Sequence, residues 1–165
     1  MMDNKNIPTT EEYRKARNKA YEEYKGIGKV FCPYLNTDVH FTSDGFRHII
    51  YKSKGKQRHF NTQILRFNLL SKAVEIIRRS HILQEFDSIQ SEMVVEDHNL
   101  KVSKIVKVAY YGFIGIIDDW KIKVIVKKTG SGNPVFWSVI PNWVTNKKRD
   151  IKKKYKTFSG NMEEN

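Results

Sequence analysis

The hydrophobic period of this chain changes near residue 90, and that change constrains the fold more than any other feature. Before it, apolar residues recur three and four positions apart. After it they alternate with polar ones, as in the run WKIKVIVKK at 120–128. The first spacing lines one face of a helix and the second lines one face of a strand. Helices followed by a run of strands imply an α+β domain.

Residues 10–25, TEEYRKARNKAYEEYK, read as a peripheral helix. Thr9 or Thr10 caps it, Glu11 and Glu12 suit its first turn, and Gly26 ends it. Its apolar stripe is narrow: Tyr13, Ala16, Ala20 and Tyr24. Two short extended segments, GKVFCPY and DVHFT, precede a short helix, GFRHIIYK, capped by Ser43 or Asp44. After the basic loop SKGKQRHFNT, one longer helix is expected from Asn61 or Thr62 to about Ser80, with Phe67, Leu70, Val74 and Ile77 as its buried face. Strand-like runs then follow, with turn signals at Asp118-Asp119 and at 129–133. The expected architecture is N-terminal helices packed on a C-terminal antiparallel four-stranded sheet. Its parts are a helix at 1–27, one α+β domain at 28–145 and a basic mobile tail at 146–165.

Charge narrows the function. Thirty Lys and Arg face 18 Asp and Glu in 165 residues, a net charge of +12, yet residues 81–100 sum to −5. A patchy positive field attracts polyanions, nucleic acid first among them. No apolar run reaches the ~18–20 residues of a membrane span. MMDNKNIPTTEEYRK lacks the apolar core of a secretory signal, so a cytoplasmic protein is expected. Cys32 is the single cysteine, and no HExxH or CxxC pattern occurs, so neither a metal nor another cofactor is expected.

Three of the five histidines, His40, His48 and His59, fall within the basic string HFTSDGFRHIIYKSKGKQRHF. Phosphoryl transfer without a metal needs a proton acceptor, a proton donor and fixed positive charge. Histidine suits both proton roles near neutrality, and Lys and Arg supply the charge. The same string also makes an ordinary solvated basic loop. Downstream, Phe136 and Trp137 point to opposite sides of their strand, so one of them is a candidate stacking platform for a base. Ser138 is expected on the face of Phe136. Lys121 and Lys123 share a face opposite Ile122, Val124 and Val126, which aims Lys123 into a shallow groove.

Two stretches, DVHFTSDGFRHIIYKSKGKQRH and KIKVIVKKTGSGNPVFWSVIPNW, resemble those in phage- and mobile-element-associated members of the barnase–EndoU–colicin–RelE-like nuclease superfamily. The resemblance covers roughly residues 30–145 and lies in order and patterning. It implies RNA cleavage on an open sheet face without a metal. By motif position it carries His48 with Lys52, then Arg58 with His59, then Lys123 and the Trp137-Ser138 strand. Barnase-like members use a glutamate base, and residues 100–145 contain no Glu, which leaves a histidine pair or an altered site.

The reading is an endoribonuclease, a toxin or mobile-element enzyme, that forms a 2′,3′-cyclic phosphate by 2′-OH attack. Its catalytic set is His48, His59, Lys52, Arg58, Lys123 and Ser138; its RNA-binding set is His40, Arg47, Lys56, Arg66 and Trp137. RNA is the expected partner, with a cognate inhibitor protein beside it. The alternatives are a non-catalytic RNA- or DNA-binding module on the same basic surface, and an interaction protein docking through the acidic 85–97 stretch and the basic tail.

Overall fold

The computed structural model describes residues 7–52, 54–146 and 151–154. Helix α1 (Thr10–Ile27) starts from a reciprocal cap, in which the Glu12 amide donates to Thr9 Oγ1 and the Thr9 amide donates to Glu12 Oε2. It runs past Gly26 and stops at Gly28, whose φ of 66° only glycine adopts readily. The helix is less peripheral than its stripe suggests. Tyr24 is buried against Phe41, Phe46 and Phe136, and its hydroxyl donates to the Thr42 carbonyl at 2.7 Å.

Strands β1 (Lys29–Cys32) and β2 (Thr37–His40) form a hairpin that leads into helix α2 (Ser43–Ile50). Gly45 lets α2 lie directly on the sheet, because a methyl group there would strike the Phe136 carbonyl and the Tyr24 hydroxyl. The single helix expected to reach Ser80 is two, α3 (Phe60–Asn68) and α4 (Leu70–Arg79), interrupted at Leu69. The interruption lets the two halves face different partners. Phe67 on α3 stacks on Phe46 of α2, while α4 packs on β1 and on the sheet's centre. Leu70 and Ile77 are buried as expected, Val74 is half-buried, and Ala73 and Ile76 complete the face.

Four long strands follow: β3 (Glu85–Asp97), β4 (Leu100–Ile117), β5 (Trp120–Thr129) and β6 (Val135–Asn146). They form an antiparallel meander. His98-Asn99 and Asp118-Asp119 make its first two turns, with all four residues at positive φ, the handedness that matches strand twist. The sheet does not end there, so the four-stranded antiparallel sheet expected from sequence is incorrect. Among the described residues it has seven strands and is mixed, in the order β1-β2-β6-β5-β4-β3, with the short β7 (Ile151–Lys154) also on β6. The β1–β2 hairpin joins β6 in parallel through His40 and Val135. A contact that narrow leaves no trace in a strand's own alternation. Of the tail expected at 146–165, Asn146 ends β6 and 151–154 are β7; the rest lies outside the described residues.

The helices cover one face of this sheet, where Phe113, Ile122, Val124, Val126, Phe136 and Val139 are all fully buried. The other face carries Val108, Tyr110, Lys123, Ile125, Lys127 and Ile140, which follow from the paired register. A bulge in β6 matters here. Val126 pairs with Phe136 and Ile125 with Ser138, so Trp137 is the extra residue. Ser138 therefore shares the face of Ile125, not that of Phe136 as simple alternation implies. Among the described residues, no helix is long and apolar enough to cross a membrane.

Candidate functional site

Beside β6, on the second sheet face, the helices deliver a cluster of cations around one imidazole. His48 lies in the last turn of α2 and is buried at 4% exposure. Its ring stacks on Trp137 with centroids 4.1 Å apart. Arg58 clamps it twice. Arg58 Nε donates to the His48 carbonyl at 3.1 Å, and Arg58 Nη2 lies 3.3 Å from His48 Nε2. A guanidinium only donates, so His48 presents a lone pair at Nε2 and carries its proton on Nδ1.

Arg58 is itself held by the loop between α2 and α3. Its amide donates to the Ile50 carbonyl at 2.8 Å, and its carbonyl accepts from Gln63 Nε2 at 2.7 Å. Tyr51 and Gln57 bridge across the loop, and the Lys52 amide donates to the Lys56 carbonyl. Gly55, at φ 75°, turns the chain between them. Behind this layer Arg66, also buried, donates from Nη1 to Ser138 Oγ at 2.6 Å. Lys127 Nζ lies 4.0 Å from the Trp137 ring centroid and 5.9 Å from that of Tyr110.

These groups set the proton chemistry. Burial pushes His48 down from 6.5 to about 3, and the charges of Arg58, Arg66 and Lys127 add to the depression. His48 is therefore neutral at pH 7; it accepts the Arg58 hydrogen bond and does not act as an acid. Burial, then Arg58, brings Arg66 down to about 9, so it stays charged at neutral pH.

A cleft of about 260 Å³ opens beside this cluster, lined by Asp44, Arg47, His48, Tyr51, Lys52, Gly55, Lys127 and Trp137. Among the described residues that line it, Asp44 is the one acid beside three cations. Exposed Arg47 and Lys52 form its rim.

Of the residues expected from sequence, His48, Lys52, Arg47 and Trp137 line the cleft, and Arg58, Arg66 and Ser138 stand behind it. Four expected residues do not join them. His59 is exposed at the start of α3 and lines a separate hollow with Ile7, Gln57, Arg58, Phe60 and Asn61, so it forms no pair with His48. His40 sits at the β2–β6 junction, and Lys56 is exposed on the loop. Lys123 lies on the same sheet face but pairs with Glu85 at 3.0 Å instead of lining the cleft. Among the described residues, no three His, Cys, Asp or Glu side chains gather as metal ligands would.

Sequence reasoning missed Lys127, Tyr51, Asp44 and Glu85. Lys127 was within reach, since it has the parity of Lys121 and Lys123 on β5. Tyr51 stands one helical turn beyond Arg47, whose guanidinium lies 5.9 Å from its ring. Glu85 could be found only from the register across β4. Comparison with protein-family models, with curated proteins and with solved structures yields no match to this chain.

Proposed function

We propose that the cleft seats an RNA phosphodiester and that the protein cleaves it without a metal, by 2′-OH attack, in the cytoplasm. The observation that carries this reading is that His48, Lys127 and Trp137 line one cleft, with Arg58, Arg66 and Ser138 packed behind it. Fixed positive charge gathered beside an open cleft suits a phosphate, whose oxygens accept charge-assisted hydrogen bonds. Arg47, Lys52 and Lys127 hold the phosphate oxygens, and a base edge lies against Tyr51.

In this reading the chemistry rests on His48 alone, because His59 lines another hollow. The bound phosphate offsets the neighbouring cations and raises the proton affinity of His48. Arg58 Nη2 turns from His48 to the phosphate, and the freed Nε2 lone pair takes the 2′-OH proton as the O2′–P bond forms. The P–O5′ bond breaks, water protonates the leaving oxygen, and a 2′,3′-cyclic phosphate remains. A specific observation favours a second reading, a non-catalytic RNA-binding module. The His48 lone pair already meets Arg58 and its ring already covers Trp137, which makes it part of a binding wall.

The two readings separate in one assay. An RNA oligonucleotide and its 2′-deoxy counterpart are incubated with the protein in EDTA, and product ends are identified. Cleavage of RNA alone, with cyclic phosphate ends and a loss of roughly 10²–10⁴-fold in His48→Ala, supports the enzyme. Tight, salt-dependent binding without cleavage supports the module. Binding that is unchanged in Arg47→Ala/Lys52→Ala removes both.

A further inference from the structure

Strand β3 stands at the end of the sheet, and among the described residues nothing pairs with its outer edge. It is a long edge. Thirteen consecutive residues pair with β4 in unbroken register from Glu85–Gly112 to Asp97–Leu100. Natural edge strands are blunted by charged side chains, lysine above all, by proline or by a bulge, since a bare row of amides and carbonyls recruits other strands. The charges of β3 are all acidic, which deters an acidic strand and not a basic one. The sequence EFDSIQSEMVVED contains neither lysine nor proline, and its pairing shows no bulge.

The outer half of this edge is also poorly supported. β5 meets β4 only from Val108 onward, so residues 90–107 form a two-stranded arm. Val94, Leu100 and Ile105 on that arm are each more than two-thirds exposed. A two-stranded ribbon is marginal alone in water, and a third strand stabilises it.

Charge selects the third strand. β3 carries Glu85, Asp87, Glu92, Glu96 and Asp97 and no basic residue, in a protein of net charge +12. Asp97 is already met by Lys104 and Glu85 by Lys123, which leaves Asp87, Glu92 and Glu96 as the acids of the edge. A second copy of β3 would bring five more acids to the same edge. We infer that the outer edge of β3 docks a basic, extended segment of another polypeptide, added antiparallel or parallel as a further strand. Its alternate residues would be apolar, lying beside Ile89, Met93 and Val95, which share one face. Its lysines or arginines would lie beside Glu92 and Glu96 on the other.

The test uses the whole protein and a fluorescent synthetic peptide of alternating lysine and valine, with a glutamate–valine peptide as control. The basic peptide should bind, weaken with salt, and slow amide hydrogen exchange along β3 while leaving β6 unaltered. Glu92→Lys/Glu96→Lys should lower its affinity about tenfold or more without weakening RNA binding. Should that reversal disturb folding, Glu92→Gln/Glu96→Gln gives the same test with a smaller loss. The inference is overturned by equal β3 protection from the acidic peptide, by protection elsewhere than β3, or by affinity indifferent to both variants. It is also overturned if β3 exchange slows with protein concentration alone, which would identify a second copy as the occupant.

Discussion

The two faces of the sheet are built from alternate residues of the same strands, yet they are filled with different chemistry. On the helix side, β5 contributes Ile122, Val124 and Val126, all fully buried. On the other side the intervening residues are Lys123, Ile125 and Lys127. The first face removes hydrocarbon from water, which stabilises by about 25 cal/mol per Å². The second places cations and a neutral imidazole against the sheet, where desolvating each charge costs free energy that its partners must offset. The contrast separates what holds this fold together from what it can bind, and it can be broken from either side.

The largest effect belongs to the helix side. Phe136 is fully buried, stacked on Phe41 with centroids 4.8 Å apart and edge-on to Tyr24. Phe136→Ala should cost about 3–5 kcal/mol in urea denaturation, because a ring-sized void there has helices on one side and a sheet on the other. A loss below about 1 kcal/mol would mean that this face is no better packed than a surface and would erase the contrast.

The next effect is a pH dependence on the cation side. His48 is held near 3 when folded, against 6.5 as the ordinary value. A group whose folded pKa is depressed contributes nothing to pH dependence above the unfolded value. Below it, the unfolded chain binds the proton and the folded chain does not, so stability falls between 6.5 and about 3. By about pH 4 the loss from this one group is about 3 kcal/mol. The measurement is urea denaturation from neutral to acid pH in the native protein and in His48→Gln. The variant should lack that part of the acid slope. Parallel slopes would show that His48 takes up its proton in the folded state and that the cluster is open to water.

These contrasts were unequally visible in the sequence. The parity of Lys121 and Lys123 against Ile122, Val124 and Val126 is a local property of one strand, so the two faces of β5 were legible without the fold. The helical spacing of Phe46, Ile49 and Ile50 was legible for the same reason. The break at Leu69 was not, because the apolar stripe continues through it and only the differing partners of α3 and α4 require it. Nor was the bulge at Trp137, which moves Ser138 to the cation side and within reach of Arg66. The junction of β2 with β6 rests on a single residue pair. His59 shares the basic string with His48, but starting α3 turns it outward into a separate hollow. Proximity in sequence gave those two histidines a partnership that the fold does not.

The smallest effect tests how far the cation side depends on pairing within the protein. Lys123 and Glu85 stand on strands separated by β4, and their contact passes the position of Gly112, which has no side chain to obstruct it. The Lys123 side chain is only 5% exposed, whereas that of Glu85 is 42% exposed. Water therefore screens the carboxylate but hardly reaches the ammonium. Glu85→Gln keeps an acceptor oxygen and removes the charge, leaving a buried ammonium with a weaker partner. The expected cost is about 1 kcal/mol, between the values for exposed and for buried pairs, and it should shrink at high salt. A larger loss that salt does not change would show that Lys123 is as isolated from water as Arg66. No loss at all would mean that the ammonium reaches solvent, which would move Lys123 from the walls of the sheet face to its accessible surface.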